Sequence, residues 1–265
     1  MNLELITRTA GAAPCRTPVL FVHGGWHGAW CWDEHFLGYF AERGFPVFAL
    51  SFRNHGKSQT IGSVRWQRGA DYVADLRAIV AQIGQPPVLV GHSMGGYVVQ
   101  RYLERWPAPA AVLLASLPPH GLVPGTLRQL RRHPWAVTKV LLQMRPWHII
   151  ATPQLARDAL FSSRMPADQV EAYFARLQDE SFLVFLDMMF LRLPRPHRVK
   201  RVPMLVLDCS GDHQFTPAEV LATARAYHAE SEVFRGMAHD MMLEPGWEGV
   251  ANRIIDWLRN LPGIC

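Results

Sequence analysis

Short apolar runs alternate along this sequence with longer segments of helical periodicity, and this alternation constrains the fold more than any other feature. Six runs are predicted to be buried strands, at residues 19–22, 47–50, 88–90, 111–115, 204–207 and 232–234. Helices are predicted at residues 33–43, 70–83, 95–106, 216–227 and 247–261. The pattern predicts an α/β fold with a mostly parallel, doubly wound sheet whose strands are joined by crossover helices.

Residues 118–198 interrupt this alternation. The stretch contains Pro-punctuated segments rich in Met, Leu and aromatic residues, with no strand-like run between its turns. We therefore predict a helical cap at 118–198, inserted after one strand of a core domain made of residues 1–117 and 199–265. A chain of 265 residues suits a single core of this size.

The net charge of +5 is concentrated in one part of the chain. Residues 118–200 hold twelve Arg and Lys against six Asp and Glu. Nucleic-acid-binding proteins usually show basic stripes interleaved with aromatic residues or a known module, and this sequence has neither. We interpret the surplus as a solvated basic face, with attraction of anionic substrates or membrane surfaces as the alternative. Nucleic acid is not an expected partner.

Targeting and metal-binding signals are also missing from the sequence. Residues 1–13 lack the basic leader and apolar run of a secretory signal, and no apolar stretch approaches the roughly 20 residues that span a bilayer. We therefore expect a cytoplasmic protein without an integral membrane segment. Cys15, Cys31, Cys209 and Cys265 do not have metal-ligand spacing, so we expect four free thiols and no metal.

A Gly-x-Ser-x-Gly motif at residues 91–95 joins a predicted strand to a predicted helix. At such a turn the serine hydroxyl is lifted out of the sheet, and the flanking glycines avoid a collision with neighbouring backbone. Ser93 is therefore the candidate nucleophile. The backbone N–H of Met94, at the start of the helix, is a candidate oxyanion donor. The structural alternative is a serine that only caps the helix in a tight turn.

The run His-Gly-Gly-Trp-His-Gly-Ala-Trp at residues 23–30, together with the motif at 91–96, resembles the α/β-hydrolase superfamily. The resemblance covers nearly the whole chain outside the cap and is to esterase-like and lysophospholipase-like serine hydrolases. Residues 27–30 in particular resemble plant methylesterases and hydroxynitrile lyases. The resemblance implies the α/β-hydrolase fold. It also implies that the backbone N–H of Gly25 is the second oxyanion donor, with Trp26 as an additional contributor.

A serine hydroxyl needs an adjacent base, and the base needs a carboxylate that sets its tautomer. Among twelve histidines, His239 follows a predicted strand and precedes the last helix, which is where this fold carries its base. Asp212 is the preferred acid because, as in the family, it follows a glycine beyond a strand and stands five residues before Pro217. Asp208 is the alternative acid. The side chain of Asp240 is expected to point away from the imidazole.

The predicted reaction is attack of the Ser93 hydroxyl on an ester carbonyl, formation of an acyl-enzyme and its hydrolysis by water, with no cofactor. Apolar cap side chains are expected to form a pocket for hydrophobic acyl or aromatic esters. The candidate substrate-binding residues are Trp26, His92, Trp147, Phe185 and Met189. The expected partner is a small-molecule ester. The sequence does not decide between a monomer and a homodimer.

Other activities of the superfamily are separated from this one by single residues. Haloalkane dehalogenases and epoxide hydrolases use an aspartate at the position of Ser93. Hydroxynitrile lyases of the resembling subgroup carry a lysine soon after the catalytic histidine, where this chain has Asp240. A carbon–carbon bond hydrolase or a lactonase with the same triad stays open. A receptor with slow turnover, built on a hydrolase scaffold, is the alternative outside catalysis.

Overall fold

The computed structural model describes residues 2–11 and 15–265 of the chain. Met1 and residues 12–14 lie outside the described residues. The prediction of no secretory signal in residues 1–13 therefore falls partly on residues that the structure does not describe. The described residues form one sheet of seven strands: β1 (Leu5–Arg8), β2 (Val19–Val22), β3 (Val47–Leu50), β4 (Val88–His92), β5 (Ala111–Leu114), β6 (Met204–Cys209) and β7 (Glu230–Phe234). Their order is β1-β3-β2-β4-β5-β6-β7. Strand β1 is antiparallel to β3, and the other pairs are parallel.

Helices connect the strands and cover both faces of the sheet. They are α1 (Trp30–Asp33), α2 (Phe36–Glu42), α3 (Gly69–Ile83), α4 (Met94–Leu103), α5 (Val123–Arg132), α6 (Pro134–Gln143), α7 (Pro153–Leu160), α8 (Ala167–Phe174), α9 (Phe182–Leu186), α10 (Pro217–Tyr227) and α11 (Trp247–Arg259). Successive side chains of a strand point to opposite faces. Val19 and Phe21 accordingly pack in one hydrophobic cluster with α2 and α11, while Leu20 and Val22 pack in another with α3 and α4.

The predicted α/β fold and its mostly parallel sheet are confirmed. All six predicted strands are present, and their ends lie within two residues of the predicted ones. Strand β1 is not among the predicted strands. This strand lies at the edge of the sheet and its side chains are half-buried or exposed, so its residues carry only a weak hydrophobic pattern.

Residues 118–198 lie between β5 and β6. They contain α5 to α9 and a π-helical turn at Asp187–Leu191, and the described residues of this stretch contain no strand. The Thr152 hydroxyl caps α7 and the Ser181 hydroxyl caps α9, each accepting a hydrogen bond from a backbone N–H of the first turn. The division into a core and a cap with boundaries at 117 and 199 stays an interpretation of this arrangement.

The expectation of four free thiols is wrong for two of the cysteines. Cys15 and Cys265 form a disulfide across a sequence separation of 250 residues, while Cys31 and Cys209 are free and buried. The spacing of cysteines does not reveal this pair, because it depends on the two chain ends meeting: the Thr17 N–H donates to the Ile264 carbonyl at 3.2 Å. The cytoplasmic location stays a prediction.

Counting thiols tests the disulfide directly. In denaturant without reductant, a thiol-reactive chromophore should report two free thiols per chain, and four after reduction. Four thiols before reduction would mean that Cys15 and Cys265 are not paired.

Candidate active site

Ser93 lies in the sharp turn between β4 and α4. Its φ of 50° and ψ of −117° place it in a backbone region that residues with side chains rarely adopt. Two backbone hydrogen bonds hold this turn: the Ser93 N–H donates to the Leu114 carbonyl at 3.0 Å, and the Leu117 N–H donates to the Ser93 carbonyl at 3.3 Å. The strained turn raises the Ser93 hydroxyl above the end of the sheet.

The Ser93 hydroxyl begins a chain of hydrogen bonds through His239 to Asp212. The distance from Ser93 Oγ to His239 Nε2 is 2.9 Å, and that from His239 Nδ1 to Asp212 Oδ2 is 2.7 Å. The side chains of His239 and Asp212 are both buried. A carboxylate on Nδ1 requires the proton there, so Nε2 carries the lone pair that accepts from the hydroxyl. Burial lowers the pKa of His239, but the charge and hydrogen bond of Asp212 outweigh it and the pKa lies above its ordinary value.

Backbone donors fix the second oxygen of the Asp212 carboxylate. Asp212 Oδ1 accepts from the N–H of Gln214 at 2.6 Å and from the N–H of Phe215 at 3.2 Å. The alternative acid, Asp208, lies four residues earlier within β6 and is fully buried, and its Oδ2 has no hydrogen-bond partner. Burial and the neighbouring charge of Asp212 raise the pKa of Asp208 well above its ordinary value. Asp212, and not Asp208, contacts His239.

The loop after β2 lies directly against the nucleophile. A Cβ atom on Gly24 would be 3.0 Å from the Cβ of Ser93 and 2.7 Å from Nδ1 of His92, so this approach requires glycine. Gly25 and Met94 both line the cavity beside Ser93 and His239. Met94 is the first residue of α4, where the N–H has no acceptor within the helix. These two positions are the predicted oxyanion donors.

A buried histidine–carboxylate pair holds the carbonyl of Gly25. His27 Nδ1 is 2.7 Å from the Gly25 carbonyl oxygen, and His27 Nε2 is 3.0 Å from Asp240 Oδ2, so both contacts are at hydrogen-bond distance. The ring is thereby fixed between the Gly25 carbonyl and the Asp240 carboxylate. Burial raises the pKa of Asp240, but the charge of His27 outweighs it and the pKa lies below its ordinary value. The carboxylate of Asp240 is hydrogen-bonded to His27, but one of its oxygens also lies within 4.8 Å of a ring nitrogen of His239, so the expected orientation away from that imidazole is not confirmed.

A second buried histidine–carboxylate pair, His55 and Glu180, holds the backbone N–H of Trp26. Glu180 Oε2 accepts from His55 Nε2 at 3.1 Å and from the Trp26 N–H at 3.4 Å. Its Oε1 accepts from the Tyr72 hydroxyl at 2.8 Å. Burial lowers the pKa of His55, but the Glu180 charge outweighs it and raises that pKa above its ordinary value. The Trp26 N–H therefore faces Glu180, which corrects the expectation that Trp26 contributes to the oxyanion site.

The Gly25–Trp26 peptide is thus hydrogen-bonded at both ends, through its carbonyl to His27 and through its N–H to Glu180. Neither the His27–Asp240 pair nor the His55–Glu180 pair is predicted from the sequence. The run at residues 23–30 contains His27, but the partners Asp240 and Glu180 are 213 and 154 residues away from the atoms they contact. Only the folded chain brings them together.

A cavity of about 200 Å³ opens beside Ser93 and His239. Most of its lining residues are apolar, and α5, α6, α9 and the π-helical turn that follows α9 each contribute to the wall. Of the predicted substrate-binding residues, Trp26, Phe185 and Met189 line it. The remaining wall is formed by Leu117, Leu122, Thr126, Gln129, Leu130, Val137, Val140, Leu141, Pro146, Ile149, Met188, Gln214 and Phe215, with Glu180 at the side of Gly25.

Two predicted substrate-binding residues lie elsewhere. His92 is fully buried behind the site, where its Nε2 donates to the His239 carbonyl at 3.0 Å. Burial and the neighbouring His239 lower the pKa of His92 to about 3, so the ring is neutral. Trp147 packs against Phe174, with 5.8 Å between ring centroids. His92 is buried and Trp147 is half-buried against Phe174, and neither side chain is part of the cavity wall.

Two groups of three buried side chains have the residue types that bind metal ions. They are His92, His239 and Asp240, and Asp208, Cys209 and Asp212. In the first group His239 is engaged by Ser93 and Asp212. In the second, burial and the two aspartates raise the pKa of Cys209, which keeps its sulfur a neutral thiol and a poor ligand. We assign no metal to either group.

Comparison with known proteins identifies the family. The model of the Alpha/beta hydrolase family matches residues 19–253. The bifunctional esterase/perhydrolase of Acinetobacter calcoaceticus is 39% identical over 114 residues, which are 40% of this chain and 39% of that protein. The chain thus matches about two fifths of the length of that relative. A probable esterase of Oryza sativa is 26% identical over 217 residues, or 74% of this chain and 80% of that protein.

A solved structure agrees with the fold. The thermophilic esterase from Thermogutta terrifontis superposes with a TM-score of 0.75 at 21% identity, covering 98% of this chain and 93% of that one. At this identity the likeness concerns the fold alone. The match of the family model over most of the sequence carries the assignment: the chain belongs to the alpha/beta hydrolase family.

Proposed function

We propose that this protein is a carboxylic ester hydrolase in which Ser93, His239 and Asp212 act as a catalytic triad. The observation that carries the proposal is the continuous hydrogen-bond chain from Ser93 Oγ through His239 to Asp212, at 2.9 and 2.7 Å, at the wall of an apolar cavity. The esterase relatives from Acinetobacter calcoaceticus and Oryza sativa support the same class of reaction.

In the proposed reaction, His239 Nε2 takes the proton of Ser93 as Oγ attacks the ester carbonyl. The negative charge that develops on the carbonyl oxygen is met by the N–H groups of Gly25 and Met94. The intermediate collapses to an acyl-enzyme, and His239 passes its proton to the departing alcohol. Water, deprotonated by His239, then releases the acid and restores Ser93. Asp212 holds the tautomer and stabilises the imidazolium at each step.

The wall of the cavity favours esters with a hydrophobic acyl or aromatic group. Its aliphatic and aromatic side chains, such as Leu117, Val140 and Phe185, offer little to a polar or charged substrate. Glu180 is the acidic side chain on this wall, and it is paired with His55. A small neutral ester is therefore the proposed substrate, and no cofactor enters the scheme.

The proposed function is tested with p-nitrophenyl esters of increasing chain length and with aryl esters. Wild-type protein should release p-nitrophenol with turnover or a burst, and a Ser93→Ala variant should not. The acyl chain length that gives the highest kcat/KM then indicates how long an acyl group the cavity accommodates. If no ester gives release that depends on Ser93, the esterase proposal is wrong, and a carbon–carbon bond hydrolase, a lactonase or a receptor replaces it.

The pH dependence should show an acidic limb set by His239. Only the neutral ring accepts the Ser93 proton, and Asp212 raises the pKa of His239 above its ordinary value of 6.5. The value of kcat/KM should therefore be constant in mildly alkaline buffer and fall as the pH drops through that raised pKa. A profile that falls only below pH 6 would contradict the stabilisation of the imidazolium by Asp212.

Replacement of His27 should impair the oxyanion donor without impairing substrate binding. In His27→Asn the Gly25 carbonyl loses its hydrogen bond, and we expect kcat to fall about 10- to 100-fold with KM nearly unchanged. The single variant also leaves Asp240 unpaired and should unfold at a lower temperature. In His27→Asn/Asp240→Asn the melting temperature should recover while kcat stays low. Recovery of kcat together with the melting temperature would mean that His27 only stabilises the fold.

A further inference from the structure

The outer surface of α5 and α6 is unusually apolar for a surface in contact with water. Helix α6 buries Val137 and Val140 on its inner side, where they line the cavity, yet it also exposes the large apolar side chains of Trp135, Leu141 and Leu142. Large apolar side chains that are exposed together mark an interaction surface. The exposed members, which together we call the α5–α6 face, are Val123 (37% exposed), Leu127 (49%), Leu130 (40%), Trp135 (79%), Leu141 (57%), Leu142 (78%) and Met144 (37%).

Every charged side chain on α5 and α6 is basic, and one of them, Arg128, is paired with Glu219. The sequence contains no acidic residue between Glu104 and Asp158. Arg131, Arg132 and Lys139 are exposed and have no ion-pair partner among the described residues. An apolar surface with a tryptophan and unpaired cations matches the boundary of an anionic lipid layer, where the apolar side chains leave water and the cations meet phosphate groups.

The cavity opens within the same face. Leu130 and Leu141 line the cavity, and they are also 40% and 57% exposed. They therefore stand at its mouth, between the site of Ser93 and the apolar surface outside. A hydrocarbon chain that enters there passes from one apolar environment to another without crossing water. No helix in the described part of the chain is long and apolar enough to cross a membrane.

We propose that the α5–α6 face docks on the surface of an anionic lipid bilayer and admits the acyl chain of a membrane-resident ester to the cavity. Docking follows from exposure and charge alone. The identity of the substrate as a lipid ester rests in addition on the proposed hydrolase function. Binding and turnover are therefore measured separately.

Binding is measured by co-sedimentation of the full chain with vesicles. The Ser93→Ala variant is used so that the lipid stays intact. It should sediment with vesicles of equal parts phosphatidylcholine and phosphatidylglycerol, and much less with phosphatidylcholine alone or at high salt. Trp135→Ser/Leu142→Ser should lower the partition coefficient at least about tenfold. The matched control is Trp66→Ser, which removes a tryptophan that is 48% exposed outside the face, and it should bind like the parent.

A charge variant separates the contribution of the cations to vesicle binding from that of the apolar side chains. Arg131→Gln/Arg132→Gln/Lys139→Gln should lose the preference for phosphatidylglycerol while keeping its weak binding to phosphatidylcholine. All variants change exposed side chains, and their melting temperatures are compared with that of the parent to establish that they are folded. Equal sedimentation of parent, face variant and control, or no sedimentation of the parent with either vesicle, would overturn the proposal.

Turnover and oligomeric state complete the test. On a short soluble p-nitrophenyl ester, Trp135→Ser/Leu142→Ser should keep its kcat/KM, because neither side chain lines the cavity. On an ester embedded in mixed vesicles it should lose activity in proportion to its lost binding. Vesicle binding without hydrolysis of any ester would sustain docking and refute the hydrolase. If light scattering shows a parent dimer that the face variant dissociates, the face joins two copies of this chain and the lipid proposal is wrong.

Discussion

The Asp212→Asn variant should lose about four orders of magnitude in kcat for ester hydrolysis, with KM little changed. The amide oxygen is held where Oδ1 now accepts from the N–H groups of Gln214 and Phe215. The amide NH2 must then face His239 Nδ1, which forces the ring proton onto Nε2. In that tautomer the ring cannot accept the proton of Ser93, although the position of every side chain is retained.

Asp208→Asn is the matched control for this prediction. It makes the same chemical change on a neighbouring buried carboxyl whose Oδ2 has no hydrogen-bond partner. Burial and the charge of Asp212 raise the pKa of Asp208, and its carboxyl makes no contact with His239, so an amide there should disturb the triad little. We expect kcat to change by less than about tenfold, measured on the same p-nitrophenyl ester. If Asp208→Asn lost most of its kcat and Asp212→Asn remained active, Asp208 and not Asp212 would be the acid of the triad.

The Gly95→Ala variant should lose at least about 4 kcal/mol of folding free energy, a large part of the stability of an ordinary domain. Gly95 lies in the first turn of α4, where it packs on the end of β2. A Cβ atom there would overlap the carbonyl oxygens of Val22, the last residue of β2, and of His23, which follows it. Val22 cannot move without disturbing the pairing of β2 with its neighbours.

The effect is measured by denaturant unfolding followed by circular dichroism, with Gly38→Ala as control. Gly38 is also helical, but no atom lies within 4 Å of its added Cβ. Its replacement should raise stability by up to about 1 kcal/mol, as expected for Ala over Gly inside a helix. If Gly95→Ala were as stable as Gly38→Ala, the close contact of α4 with β2 would be wrong.

The parts of the site that the sequence predicts are those encoded by local pattern. Ser93 stands between a buried strand and a helix that begins at once, so the motif and its secondary structure indicate the same turn. His239 and Asp212 follow strands whose apolar runs are easily recognised, and parallel strands bring their carboxyl ends to one edge of the sheet. The structure places these three side chains in hydrogen-bond contact.

The parts that the sequence does not predict depend on contacts between distant residues. The disulfide needs the two chain ends to meet, and the pairs of His27 with Asp240 and of His55 with Glu180 join residues 213 and 125 positions apart. A buried charge has no hydrophobic signature, so Glu180 looks like an ordinary surface residue in the sequence. His92 and Trp147 were misplaced for the same reason, because composition does not tell which aromatic side chains of a cap or turn face the cavity and which face the interior.

The nucleophilic role of Ser93 is tested most directly by covalent labelling. A fluorophosphonate reacts with a serine only when a base activates its hydroxyl, and the adduct resembles the proposed tetrahedral intermediate. Mass spectrometry of the intact wild-type protein should show one adduct, which peptide mapping assigns to Ser93. The Ser93→Ala and denatured proteins should show none. An adduct on another residue, or ester hydrolysis that persists without any adduct at Ser93, would contradict the account.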